Sequence, residues 1–494
     1  MKHLKLFIIA LFISITTTFA QDFTAQIVDA VTQEAIPYAA IQIDDATGTI
    51  SNEEGVFTLD FEGKTVVNLM VSCLGYASKT ISIEEVKANN YIIFMDEQVN
   101  ELDEVFIGGE KPNIDSIMTR VRLNLKNNYT SGFKQHEVFY RASNSVDFKT
   151  LDFEVDKASS FKKKDHISVN NSLDSLSRIV SNSKAIQFSD YMGNIMVNDS
   201  NKAKLDVELA TELLDKKNDL SVEGLQTKAR NIMLKYLDEN KYYKLKSGFF
   251  KIEDSLSLKK EFEEEAKRKD EHNTSWLRNS TNGLLSNTRF YDNSFLTKIL
   301  NPKLYDYELL DLSFFNGEFI YVVDYKPKKA KSKFGGKLFI SDESYAVIKA
   351  EYSYYKNKRG SKLNLKFLFG VKFVENIRIG TVIYKKDYDT EKYVPQYIKE
   401  EDGAYFYVKR PLKFLEVGSG RKSKVKFNFI VEGNSRSKEE LLCINTKAIN
   451  SNTYNAFKEA KKTPYRTLQT YDPSIWKNKN TLEPLEEMKK FNSN

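Results

Sequence analysis

A run of alternating residues near position 370 constrains the fold more than any other feature of the chain. Leu363, Leu365, Phe367, Phe369, Val371 and Phe373 alternate with Lys362, Asn364, Lys366, Leu368, Gly370 and Lys372, a period of two that suits a strand with one apolar face. Val425, Phe427, Phe429 and Val431 repeat the pattern. Around them lie further stretches rich in β-branched and aromatic residues: Tyr305 to Phe315, Glu318 to Tyr325, Lys337 to Ser341, Tyr345 to Tyr355, Ile377 to Tyr384, Lys392 to Lys399 and Ala404 to Lys409. Asn316-Gly317, Asp342-Glu343-Ser344 and Asp402-Gly403 read as the turns between them, and Asn-Gly is a strong two-residue hairpin signal. Strands joined this tightly pair with their sequence neighbours, so residues 286–435 are expected to form a large antiparallel sheet of about nine or ten strands.

Such a sheet needs a cover for its apolar face. Helices over an open sheet or half-barrel, a second sheet, and closure into an outer-membrane β-barrel all supply one. The charged stretch from Leu485 to Asn494 speaks against the barrel, whose last strand would be expected to end on a membrane-facing aromatic. The segment Gly336 to Ile348, an apolar strand ending in the acidic turn Ser341-Asp342-Glu343-Ser344 and returning, resembles the hairpin of the lipoprotein-carrier half-barrels. That resemblance implies an apolar groove for acyl chains, with Leu363, Leu365, Phe367, Phe369 and Phe373 as its candidate lining; the competing reading makes them plain core under a helix.

The N-terminus speaks to location. Lys2, His3 and Lys5 precede an apolar run from Leu6 to Ile15 and then Thr16 to Ala20, the three-part form of a secretory signal peptide cut before Gln21. The apolar run is about half the roughly 20 residues a spanning helix needs. Residues 1–20 are therefore expected to direct export to the periplasm or the outer membrane. Cys73 and Cys443 fall in different predicted domains, and a disulfide between them is not expected.

Residues 21–106 show short β-rich runs separated by turn chemistry at Asp29 to Ala35, Asp44 to Gly48, Asn52 to Gly55 and Glu62-Gly63, which predicts a small β-sandwich. Ile27-Val28-Asp29, Ile36 to Ile41, Gly48 to Phe57 and Val71 to Tyr76 resemble, in that order, the carboxypeptidase-regulatory-like domain, a transthyretin-like sandwich found in exported proteins of Bacteroidota and before the plug of many TonB-dependent receptors. The peptidase commonly attached to this domain needs an HxxE pair for zinc. The residues three after His136, His166 and His272 are Phe139, Val169 and Ser275, so that chemistry is excluded.

Residues 107–285 read as a linker and helix-rich segment. Ile117, Val121 and Leu125 share one face of a helix opened by Asp115, and Lys202 to Lys217, Val222 to Glu239 and Leu256 to Glu271 are also expected to be helical. Residues 436–494 read as a tail docked on the sheet domain, with Trp476 after the turn Asp472-Pro473 as its anchor.

Few residues of the chain point to chemistry. The charges nearly balance at 74 basic against 68 acidic residues, which gives no nucleic-acid footprint. Two cysteines and four histidines exclude a disulfide scaffold and zinc-finger clusters. No P-loop or GxSxG elbow occurs, no cofactor is implied, and His136 beside Glu137 is expected to be an exposed or salt-bridged strand residue. The expectation is thus an exported envelope protein without catalytic activity, binding a lipid or other apolar ligand or an outer-membrane or envelope protein partner. The alternatives are an envelope hydrolase using carboxylates and the outer-membrane β-barrel.

Overall fold

The computed structural model describes residues 23–43, 48–59, 61, 66–98, 112–159, 162–181, 185–214, 224, 227–228, 231–232, 237–238, 240–248, 250–257, 259–260, 271–290, 294–387, 389–418, 422–477 and 479–491. The expected signal segment, most of the expected linker, and most of the expected helices at Val222 to Glu239 and Leu256 to Glu271 lie outside them. The chain divides into two units: Phe23 to Gln98 together with Asp472–Leu485, and a larger unit of the intervening residues plus Glu486 onward.

The first unit is a two-sheet sandwich. Its strands are β1 (Phe23–Asp29), β2 (Ala40–Gln42), β3 (Gly48–Ile50), β4 (Val56–Leu59), β5 (Asn68–Ser72), β6 (Lys79–Ser82) and β7 (Ile92–Met95). One sheet has the order β4-β1-β7 and the other β3-β2-β5-β6. Alternation sends Ile27, Ile41, Phe57, Leu69, Val71, Ile81 and Ile93 into one shared core. A helix that the strand-like reading overlooked, α1 (Ile83–Ala88), is capped by Ser82, whose side chain accepts from the Glu85 amide, and buries Ile83 and Val86. The turn before β4 forms for the reason its sequence suggested: Asn52 Oδ1 accepts from the amides of Glu54 and Val56, and Gly55 sits at φ +71°. A Cβ there would lie 2.5 Å from the Ile27 carbonyl oxygen, so only glycine fits.

Residues expected in a tail on the sheet domain belong in part to this sandwich. Thr58 Oγ1 donates to Glu483 Oε2 at 2.6 Å, and Asn52 Nδ2 donates to the Glu483 carbonyl at 3.2 Å. Pro473–Trp476 forms a single 3₁₀ turn capped by Asp472, and Trp476 is buried. The Asp-Pro turn was readable; its docking partner depended on contacts between the chain's distant ends.

The second unit is built on one 14-stranded sheet. In chain order its strands are β8 (Lys134–Ala158), β9 (Ala185–Val197), β10 (Ala203–Leu213), β11 (Tyr242–Ser247) and β12 (Phe250–Ser257). After a separate short strand, β13 (Glu271–Asn273), come β14 (Tyr305–Phe315), β15 (Glu318–Pro327), β16 (Phe334–Ser341), β17 (Val347–Tyr354), β18 (Lys362–Leu365), β19 (Val371–Asp387), β20 (Lys392–Val417) and β21 (Lys424–Ala448). Finally β22 (Lys462–Pro464) pairs with β13, and β23 (Arg466–Leu468) rejoins the large sheet. The main path is β14-β15-β16-β17-β19-β20-β21-β8-β9-β10-β23, antiparallel except for the β10–β23 pair. Its two ends do not pair, so the sheet is open and the closed-barrel alternative falls.

The helix-rich reading of 107–285 and its border at 286 are corrected by this topology. Strands β8 to β12 come from that segment and lie in the same sheet as the predicted meander. Ala203–Leu213, expected to be helical, pairs along its length with β9; Leu205 and Leu209 would share a helical face, but together with Val207 they also follow period two, and pairing decided between the two. Asp402-Gly403 is no turn, because β20 runs through it for 26 residues. Gly403 instead lies opposite a bulge at Glu375/Ile377.

Strands β8, β20 and β21 have 25, 26 and 25 residues, roughly 80 Å each at the usual rise. That length lets them serve two cores. Toward one end, α2 (Ile114–Asn128), capped by Asn113, and α4 (Thr274–Asn287), capped by Asn273, pack on the sheet through Ile117, Met118 and Val121 and through Leu277, Leu284 and Leu285. Toward the other, α3 (Lys163–Ser181) lays Val169 and Leu173 against Val155, Tyr243, Phe414, Val425 and Phe427. The second alternating run of the sequence therefore supplies core, as its pattern required. Among the described residues no helix is long and apolar enough to cross a membrane.

Candidate docking surface

The first alternating run does something else. Instead of continuing as a strand, it folds on itself: β18 pairs back onto β19 with Leu363 opposite Phe373 and Leu365 opposite Val371. The chain reverses through a one-turn helix, α5 (Phe295–Ile299) being its predecessor in sequence and α6 (Lys366–Phe369) the turn itself. Gly370 closes it at φ +65°, donating its amide to the Lys366 carbonyl. A Cβ on Gly370 would lie 2.1 Å from the Lys409 carbonyl oxygen, and the Gly370 carbonyl accepts from the Lys409 amide at 2.7 Å.

This arm corrects the expected groove. Phe367 is 99% exposed and Leu368 71% exposed, Leu363, Phe369 and Phe373 are exposed to a lesser degree, and Leu365 is half-buried. The five residues are brought together on the arm and its tip, where none of them is fully buried. Gly370 carried the missed signal: within an alternating run it marks a backbone position that needs positive φ.

Partners that the sequence reading did not single out hold the tip. Phe369 packs on Phe250 with ring centroids 5.7 Å apart. Arg410 clips them together: Nη1 donates to the Phe369 carbonyl at 3.0 Å, Nε to Ser247 Oγ at 3.0 Å, and its guanidinium stands 5.4 Å from the Phe250 ring centre. Phe250 itself remains about half exposed. Behind the tip, the Lys366 ammonium lies 3.9 Å from the centre of the Tyr407 ring and that of Lys372 lies 5.0 Å from Tyr405.

Elsewhere on the sheet several buried ionisable groups are held by fixed partners. Arg141 and Asp190, both buried, form a two-point pair at 2.9 and 2.7 Å. Burial opposes the Arg141 charge, but the carboxylate of Asp190 more than offsets it. Glu400 is raised from the ordinary carboxylate range by burial; it accepts from Tyr352 and Asn287 at one oxygen and from Arg378 at the other. Glu440 accepts from Tyr397 at 2.7 Å and faces Lys438 at 3.6 Å. His136, expected to be exposed or salt-bridged, is buried and bonds to Thr446 at 2.9 Å. Burial, aided by Arg289 and Lys134, lowers it to about 3. Among the described residues no cluster of three or more His, Cys, Asp or Glu is placed to hold a metal ion. Cys73 is half-buried in the sandwich; Cys443 lies in the sheet unit, where burial pushes its thiol up to about 12.

Comparison with known proteins places the first unit. Residues 23–107 match the model of the CarboxypepD_reg-like domain, and this part of the chain is such a domain. The match agrees with the strands and turns from Phe23 to Met95. No curated protein matches the chain, and no solved structure matches it.

Proposed function

We propose that this chain is an exported, non-catalytic protein of the cell envelope that docks on an apolar envelope component, lipid or protein, through the β18–β19 arm. The observation that carries this reading is the tip itself: Phe367 stands wholly in solvent and Leu368 largely so, on a hairpin pinned at its base by Gly370 and Arg410. Fully burying such side chains stabilises by roughly 1.5–3 kcal/mol each, so a pinned turn that holds them out suits a binding element. The signal-like sequence of residues 1–20 and the regulatory-like sandwich after it support an envelope setting. The non-catalytic reading is supported by the carboxylates of Asp190, Glu400 and Glu440, whose oxygens are engaged by fixed partners rather than presented to a substrate.

Fractionation of cells expressing the full chain tests the proposal. Wild type is expected in the envelope pellet, and a Phe367→Ser/Leu368→Ser variant of unchanged thermal stability in the soluble fraction. An identical distribution of the two would sink the reading.

A further inference from the structure

Resting on the docking role of the arm, we infer that its occupant is the surface of an anionic lipid bilayer, with the tip inserted at the level of the headgroups. The order of chemistry back from the tip carries this. At the apex are Phe367 and Leu368, exposed, with Phe369 and Phe250 packed at a tilt beside them. The next layer is cationic and aromatic together: Lys366 over Tyr407, Lys372 over Tyr405, and Arg410 over Phe250. An interface between hydrocarbon and anionic headgroups presents the complementary sequence, an apolar layer and then negative charge, with aromatic rings favoured at the boundary.

Charge on the neighbouring strands points the same way. Residues 361–373, 404–415 and 242–251 are adjacent through the β18–β19, β19–β20 and β11–β20 pairings. They contain Lys362, Lys366, Lys372, Lys409, Arg410 and Lys413, with Lys244, Lys246 and Lys251 on the β11 side, and no acidic residue. Lys244 and Lys251 are met by Asp254 of β12, and Glu432 of β21 accepts from the Tyr405 hydroxyl at 2.9 Å, so the excess positive charge is centred on the arm and on β20 from Lys409 to Lys413. In a chain whose charges are nearly balanced overall, this mainly cationic patch surrounds Phe367, the most exposed large apolar residue among those described. A protein groove that received the tip would have to match a convex apex and a surrounding ring of cations at once; an anionic bilayer does both without a shaped pocket.

The test uses the full-length chain purified from expressing cells, with vesicles of phosphatidylcholine alone or mixed with phosphatidylglycerol. A Phe367→Trp variant is expected to shift its emission to the blue with the mixed vesicles and not with phosphatidylcholine alone, and raised salt is expected to weaken binding. Lys366→Glu/Lys372→Glu is expected to lower partition onto the mixed vesicles by about tenfold or more, with thermal stability unchanged. Equal partition onto both vesicle types, or no effect of the lysine changes, overturns the inference. A photo-reactive phenylalanine at position 367 in cells separates the two readings. Lipid adducts support the bilayer, a single protein adduct overturns it while leaving the docking role intact, and the absence of adducts overturns both.

Discussion

Arg141 and Asp190 show how a buried charge is tolerated in the middle of a sheet. They sit opposite each other on β8 and β9, and each satisfies the other at two points. Removing one partner leaves a buried charge without compensation, which costs about 3–5 kcal/mol, whereas replacing both by apolar residues is often close to neutral. Arg141→Met is therefore expected to lower the denaturant midpoint sharply, and Arg141→Met/Asp190→Leu to recover most of the loss. Equal effects of the single and double variants would contradict this account. His136 has a different signature. The unfolded chain takes up its proton near pH 6.5 and the folded chain only near 3. Stability should thus decline as pH falls from about 6.5 toward 3, because the unfolded state then binds the extra proton. Urea midpoints at pH 7 and pH 4.5 should fall further in wild type than in His136→Gln.

At the level of elements, one pattern had two outcomes. Val425 and Phe427 alternate into the core because α3 covers them; Leu363 to Phe373 shows the same alternation and folds outward at Gly370. The difference lies in what pairs and what covers each strand, which local periodicity does not encode. The hairpin at Asn316-Gly317 was readable, since both residues take the positive φ that such turns require, +49° and +89°. Helix α2 was readable from its apolar spacing, although Asn113 and not Asp115 caps it, while α3 was not singled out. Leu173→Ala in α3 should cost about 2–5 kcal/mol, the usual range for emptying a packed leucine site. Hydrogen exchange is expected to show α3 losing protection while α4, on its own stretch of sheet, keeps it; a uniform loss would make the two cores one cooperative unit.

Across the whole molecule, the sandwich borrows residues from the far end of the chain. Asn52 both builds its own turn and holds the Glu483 carbonyl. Asn52→Ala should destabilise the first unit by about 1–3 kcal/mol. In calorimetry its transition should move down while that of the sheet unit stays; movement of both, or of neither, would refute the assignment of Asp472–Leu485 to the sandwich.

Local chemistry was enough to establish the sandwich domain, its Asn52–Gly55 turn and the existence of a large antiparallel sheet, because turns and period-two burial are properties of neighbouring residues. The membership of β8 to β12 in that sheet, its open edges, the two-core use of its longest strands, the arm at Gly370 and the destination of the tail were settled by tertiary pairing. Each depends on partners tens to hundreds of residues away, and a backbone that satisfies two local patterns adopts the one whose hydrogen bonds and buried area the rest of the chain completes.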